Sequence, residues 1–234
     1  MQPIHRNRPE PPAAGPAWRQ ITPHIWMLSH GKNSSFVLCT PQGAVLLGKP
    51  VPAAQEALVS GLEALGEKLK LWLLPVASAG PEDVGPLHCR TGCLLYLPEG
   101  AQAPAGVGAD GYYSSAQPLS FGGTQIRCCV IPGPSPWAAA FRLADGDGGE
   151  EHQIGIYTPP VWEGAYSPDS WSAYIDACLA LSLEDVDIAL SCDGENPPRP
   201  EWGEALYTPQ PCRWLIRLMS DRGRAMVRKI QLTK

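Results

Sequence analysis

The chain has 234 residues, enough to bury one full core, and at 44% hydrophobic and 18% charged it is not an intrinsically disordered polymer. A formal charge of −5 argues against a molecule that binds nucleic acid over its whole surface. No apolar run reaches the ~20 residues needed to cross a bilayer, and the opening MQPIHRNRPEPPAAGP lacks the apolar centre of a secretory signal, so a cytoplasmic protein is expected.

Residues 1–17 read as a Pro-rich tail, ahead of a single domain over 18–234. Trp18 to Met27 alternates and predicts a first strand. Ser35–Cys39 and Ala44–Leu47 flank the turn sequence Thr40-Pro41-Gln42-Gly43 and predict a hairpin. Residues 52–66 carry Pro in the first turn, Gly at the end and Ala54, Leu58, Leu62 and Leu65 at helical spacing, so an amphipathic helix follows. Leu69–Leu74 predicts a buried strand, Val84-Gly85 the opening of a helix, and Cys93–Leu97 a further strand. Residues 119–131 give two strands around Gly122-Gly123, and Trp137–Leu143 and Gln153–Tyr157 a strand pair around the acidic loop ADGDGGEEH. A helix over 168–181, opened by Ser167-Pro168, a strand over Val186–Leu190 and a basic helix from Cys212 to Lys229 complete the chain. Two strand-rich halves, each ending in a helix and then a strand, suit an αββα sandwich: two mixed β-sheets face to face with helices outside, in the α/β class.

A disulfide framework is not expected among the eight cysteines, and Cys128, Cys129 and Cys178, the last on an apolar helix face, read as core residues. Cys128-Cys129 lie inside the apolar strand IRCCVI, and His88-Cys89-x3-Cys93 has no second ligand pair with which to complete a zinc site.

The segment LWLLPVASAGPEDVG, residues 71–85, is an apolar strand running into a short polar loop and a helix. It resembles the strand–loop–helix that carries the HxHxDH zinc motif of the metallo-β-lactamase superfamily, with Ser78, Gly80, Glu82 and Asp83 at the motif positions. The rest of the chain extends the resemblance. Asn33–Leu38 is similar to the family's Asn-containing strand. Ala44–Leu47 is similar to the strand before its acidic turn, which Gly48-Lys49-Pro50 replaces. Pro132–Pro136 resembles the PGHTPG turn, with Pro134 in the position of the third histidine. Thr158-Pro159-Pro160 stands where the family has a Gly-Asp pair, so Pro160 replaces the bridging aspartate. Ile188–Gly194 resembles the strand ending in PGHG, with Asp193 for the histidine.

The family's hydrolysis uses a metal to lower the pKa of bound water from ~15.7 to ~7. The resemblance therefore implies a metallo-β-lactamase-like sandwich without its zinc ligands, hence a pseudoenzyme with no metal and no cofactor. Ser78, Glu82, Asp83 and Asp193 are expected at one mouth of the sandwich, where an oxygen-only set would suit Mg²⁺ or Ca²⁺ better than Zn²⁺. Solvated carboxylates at a helix start are the simpler reading. No GxSxG, phosphate-binding or dinucleotide motif is present.

Function then moves to the surface. Trp162, Trp171 and Trp202 lie in or beside loops at the expected mouth, and Trp is enriched at interface hot spots. Arg217, Arg222, Arg224 and Arg228 make the last helix basic, a surface for an acidic protein, RNA or anionic lipid. The expectation is a binding or scaffolding subunit with protein partners or a homo-oligomer. The alternative is a hydrolase or thiol-dependent enzyme with a rebuilt site.

Overall fold

A computed structural model describes residues 16–31, 33–75, 80–131, 138–147, 150–158, 173, 176, 177 and 186–192. Two β-sheets make up the described part. In the first, strands β1 (Ala17–Gln20), β2 (Ile25–His30), β3 (Asn33–Thr40), β4 (Gly43–Leu47), β5 (Leu69–Leu73), β6 (Leu94–Pro98) and β7 (Gly111–Tyr113) lie side by side in chain order. β1 to β4 are antiparallel, and β4 to β7 run parallel. Parallel neighbours need a crossover. Helix α1 (Pro52–Ala64) supplies it between β4 and β5, and α2 (Pro81–Thr91) between β5 and β6. The second sheet has the order β12 (Ile188–Ser191), β11 (Glu150–Tyr157), β10 (Ala138–Asp147), β9 (Thr124–Ile131), β8 (Leu119–Phe121). This is the expected sandwich of two mixed sheets.

The two-residue period of the strands divides the apolar side chains between two cores. Phe36, Leu38, Val45, Leu47, Leu71 and Leu73 point from the first sheet to Phe141, Leu143, Ile154, Ile156, Ile188 and Leu190 of the second. The alternate residues Val37, Cys39, Leu46 and Trp72 pack under Leu58, Leu62, Val84 and Leu87 of the two helices. A sheet buried on both faces needs continuous rather than alternating hydrophobicity, which is why Ala44–Leu47 reads AVLL and all four residues are buried. Each fully buried Leu, Ile or Phe contributes about 1.5–3 kcal/mol relative to an exposed one.

Four sequence expectations are corrected. Trp18–Met27 is two antiparallel strands with a turn at 21–24. Pro23 has no N–H for a ladder, the Ile21 N–H donates to Ile25 O at 2.8 Å, and the Thr22 hydroxyl accepts the Ile25 N–H at 3.1 Å. Helix α2 starts at Pro81 and not at Val84, with Gly80 as its N-cap; proline at the first helical position lacks only a donor that the helix would leave unpaired. The acidic stretch 144–152 is mostly strand, because β10 and β11 pair as far as Asp147 and Glu150. The short edge strand β7, with no apolar run to announce it, was not anticipated. Of the helix expected over 168–181, residues 173, 176 and 177 are described and helical. Residues 1–15 of the expected N-terminal tail and the basic C-terminal helix lie outside the described residues, and Ala17 begins β1.

Candidate functional site

The parallel strands β4, β5 and β6 end on one side of the sandwich, and β11 and β12 end there too, in parallel register with each other. The sheets are joined at this mouth. The Ser34 N–H, at the start of β3, donates to Cys192 O at 2.9 Å, and the Cys192 N–H donates to Tyr157 O at 2.9 Å. Gly48, just after β4, has φ +112°, a backbone that L side chains rarely adopt, and a Cβ there would stand 3.3 Å from Cys192 Sγ and 3.4 Å from Ser35 Cα. Its carbonyl accepts the buried Trp72 indole N–H at 2.8 Å. The Thr158 hydroxyl donates to Cys192 Sγ at 3.8 Å. Ser34, Ser35, Thr158 and Cys192 are all buried. The described floor is therefore lined by small hydroxyls and one thiol, not by imidazoles or carboxylates.

Lys49 leads from this floor to α2. Its Nζ lies 3.0 Å from Asp83 Oδ2, with the two side chains 30% and 20% exposed. The same oxygen accepts the Gly80 N–H at 3.1 Å, so Asp83 reaches back from the third helical position to cap its own helix. The Asp83 carbonyl accepts Gln55 Nε2 at 2.5 Å, and Gln55 is buried on α1. One residue thus ties the turn after β4, the face of α1 and the start of α2. Glu82 is exposed in the first turn of the same helix, where negative charge is favourable.

Among the expected pocket residues, the structure describes Gly80, Glu82 and Asp83 and brings them together at the start of α2. Ser78, Pro134, Pro160 and Asp193 lie outside the described residues, as do Trp162, Trp171, Trp202, Arg217, Arg222, Arg224 and Arg228. The partners Gln55, Ser35 and Cys192 were not singled out by the sequence. The replacement of an acidic turn by Gly48-Lys49-Pro50 was the one signal that Lys49 mattered.

The His88-Cys89-x3-Cys93 segment does not close into a site. His88 Nε2 faces Asp110 Oδ2 at 3.4 Å, Cys89 is exposed and Cys93 is buried, its thiol pushed up by desolvation. Cys128, in the inter-sheet core, is pushed up to about 12, first by burial and then by Cys129. Raised in this way, the Cys93 and Cys128 thiols are unlike a nucleophilic cysteine.

Several solved structures share this architecture. BJP-1 of Bradyrhizobium japonicum, a subclass B3 metallo-β-lactamase, superposes with a TM-score of 0.77 at 16% identity, covering 94% of this chain and 97% of its own. GOB-18 of Elizabethkingia meningoseptica gives 0.76 at 14% identity, covering 95% and 96%. MEM-A1, a subclass B3 enzyme from a soil metagenome, gives 0.78 at 14% identity, covering 94% and 99%. This chain has the metallo-β-lactamase fold. No protein-family model matches the sequence, and no curated protein matches it significantly.

The metallo-β-lactamase fold implies a zinc site, and the described residues do not fit one. Catalytic zinc takes three nitrogen, sulfur or carboxylate ligands and keeps one position open. At the motif positions Gly80 offers no side chain, and Asp83 is already held by an ammonium group and a backbone N–H. A cation bound at Asp83 Oδ2 would have to displace Lys49 and uncap α2. Among the described residues no group of three His, Cys, Asp or Glu side chains is placed to hold a metal ion.

Proposed function

We propose that this chain is a non-catalytic protein of the metallo-β-lactamase fold, a pseudoenzyme that serves as a binding or scaffolding subunit of a larger complex. The observation that carries this reading is the Lys49–Asp83 pair. The fold's hydrolytic chemistry rests on a dication that acidifies water and polarises substrate. Here the acidic turn has become the lysine-bearing Gly48-Lys49-Pro50, and its ammonium engages Asp83, the less exposed of the two described motif carboxylates. The Lys49 side chain takes the place of a cation beside Asp83. It can balance the charge of Asp83 but offers no metal-bound hydroxide. The sandwich is kept, with an internal cross-link at its mouth, and that supports a role played by the surface. The prolines at 134 and 160 and Asp193 in place of histidine agree with it on sequence grounds. We further propose one domain over 18–234 behind a Pro-rich tail, a cytoplasmic setting and a protein partner met by the Trp- and Arg-bearing segments. No helix among the described residues is long and apolar enough to cross a membrane.

Metal analysis of the purified protein tests the non-catalytic half of the reading. Tightly bound Zn or Fe should be far below stoichiometric. Near-stoichiometric metal that is lost on changing Glu82, Asp83 or Asp193 would overturn it and favour a rebuilt hydrolase. Affinity purification from the native source tests the other half, and a lone monomer with no co-purifying protein would refute it.

A further inference from the structure

Beside the old motif, at the carboxyl ends of β6 and β7, lies a cavity of about 390 Å³ lined by Glu99, Gly100, Ala101, Tyr112, Tyr113 and Ser114. Ligand pockets begin near ~300 Å³ and gather at the carboxyl ends of parallel strands. The walls are fixed by the backbone. Pro98–Ala101 is a tight turn closed by the Ala101 N–H on Pro98 O at 3.0 Å, with Gly100 at φ +84°. That is the type II geometry, which calls for glycine at this position. The turn is pinned to the neighbouring strand, because the Glu99 N–H donates to Tyr113 O at 2.8 Å. Tyr113 is buried, its hydroxyl donates to Leu74 O at 3.0 Å, and its ring stands edge-on to Phe141 at 5.7 Å. It is a rigid wall with its donor already committed. What remains to recognise a ligand is the exposed Glu99 carboxylate, the Ser114 hydroxyl and the Tyr112 ring, which is 54% exposed. Among the described residues of the lining, Glu99 is the one charged residue.

A carboxylate and an open aromatic ring, held on a rigid turn and strand, are the chemistry that recognises an organic cation. The carboxylate gives a charge-assisted hydrogen bond and the ring face a cation–π contact. We infer that this cavity is a binding site for an ammonium or guanidinium group, with Glu99 and Tyr112 as its recognition residues. The basic side chain of a partner protein supplies the cation if the binding-subunit reading holds; a small free amine supplies it otherwise. Only this choice of source rests on that reading.

The test titrates the full chain with N-acetyl-arginine amide while backbone amide resonances are followed by NMR, with neutral N-acetyl-citrulline amide as the control. Saturable shifts at Gly100, Tyr112 and Ser114 with the arginine probe, absent with citrulline, are expected. Glu99→Gln should weaken the affinity about tenfold, the size of one charge-assisted hydrogen bond, and Tyr112→Ala should weaken it as well. Both residues are exposed, so an unchanged melting temperature verifies that each variant is folded. Shifts that do not saturate, that occur equally with citrulline, or that survive Glu99→Gln unchanged would overturn the assignment. A pull-down from the native source separates the two sources. Loss of the partner in Glu99→Gln places the cation on that partner, and a retained partner with lost arginine binding places it on a free amine. If no partner is found with wild type, the binding-subunit reading fails while the titration still decides the site.

Discussion

Replacing Asp145 by alanine should unclasp the two sheets at the end opposite the mouth. Asp145 is 8% exposed on β10, yet its partners belong to the turn between β1 and β2. Oδ2 accepts the Thr22 hydroxyl and, at 3.1 Å, the His24 N–H; Oδ1 lies 2.6 Å from His24 Nδ1. Thr22 is 5% exposed and accepts the Ile25 N–H in turn, so the carboxylate anchors a relay into β2. Truncation would orphan the Thr22 hydroxyl and the His24 N–H, at about 1–3 kcal/mol for each buried donor, whereas the half-exposed His24 ring can turn to water. The two orphaned donors together put the expected cost at about 3–5 kcal/mol. With an unfolding entropy of about 2.1 cal/mol/K per residue, a chain of this length should lose roughly 6–10 °C in melting temperature. Urea unfolding followed by fluorescence and far-UV circular dichroism measures the loss as a lower midpoint at unchanged slope. Thr22→Val, which removes a donor to the carboxylate and the acceptor of the Ile25 N–H, should lose about 1–3 kcal/mol. A loss below about 1 kcal/mol in Asp145→Ala would refute the clasp, since a buried carboxylate whose removal orphans two donors cannot be lost that cheaply.

Two further outcomes follow from the same geometry. In a double-mutant cycle of Lys49→Met and Asp83→Asn, the coupling should be about 0.5–1 kcal/mol by urea unfolding, because the pair is part-exposed; a coupling of zero would remove the ion pair from the account. Stability should also fall in base. The Cys128 thiol is pushed up to about 12 from an ordinary value near 9 by burial and Cys129, and burial pushes Tyr113 up from its ordinary 10. The folded state therefore keeps protons that the unfolded chain gives up. Stability from Cys128 is full below about pH 9 and lost as pH rises toward 12, by at most roughly 4 kcal/mol. Urea midpoints between about pH 7 and 11 check this, and Cys128→Ala should flatten the decline; an equal slope in the variant would show that Cys128 is not its source.

Much of the fold was legible because its determinants are local. The turns at Thr40–Gly43 and Gly122-Gly123, the helical spacing of Ala54, Leu58 and Leu62, and the doubly buried run at Ala44–Leu47 each lie within a few residues of one another. The misreadings have local competitors. Trp18–Met27 alternates throughout, but the turn inside it is closed by the Thr22 hydroxyl and by a proline that cannot join a ladder. The acidic stretch 144–152 looks like solvent-exposed loop, and pairing with β11 turns Asp145 inward instead.

By itself the sequence determined most of the order of the elements, the two-sheet architecture and the absence of histidine from the motif positions, because strand period, turn chemistry and residue type are properties of neighbouring residues. Only the tertiary structure decided what those positions do. Asp83 meets Lys49 across 34 residues and Asp145 meets Thr22 across 123. Glu99 and Tyr112 come to share a cavity only because β6 and β7 lie in parallel register. A carboxylate carries no local mark of whether it will hold a metal, cap a helix, clasp two sheets or face a cation; its partner decides, and the fold supplies the partner.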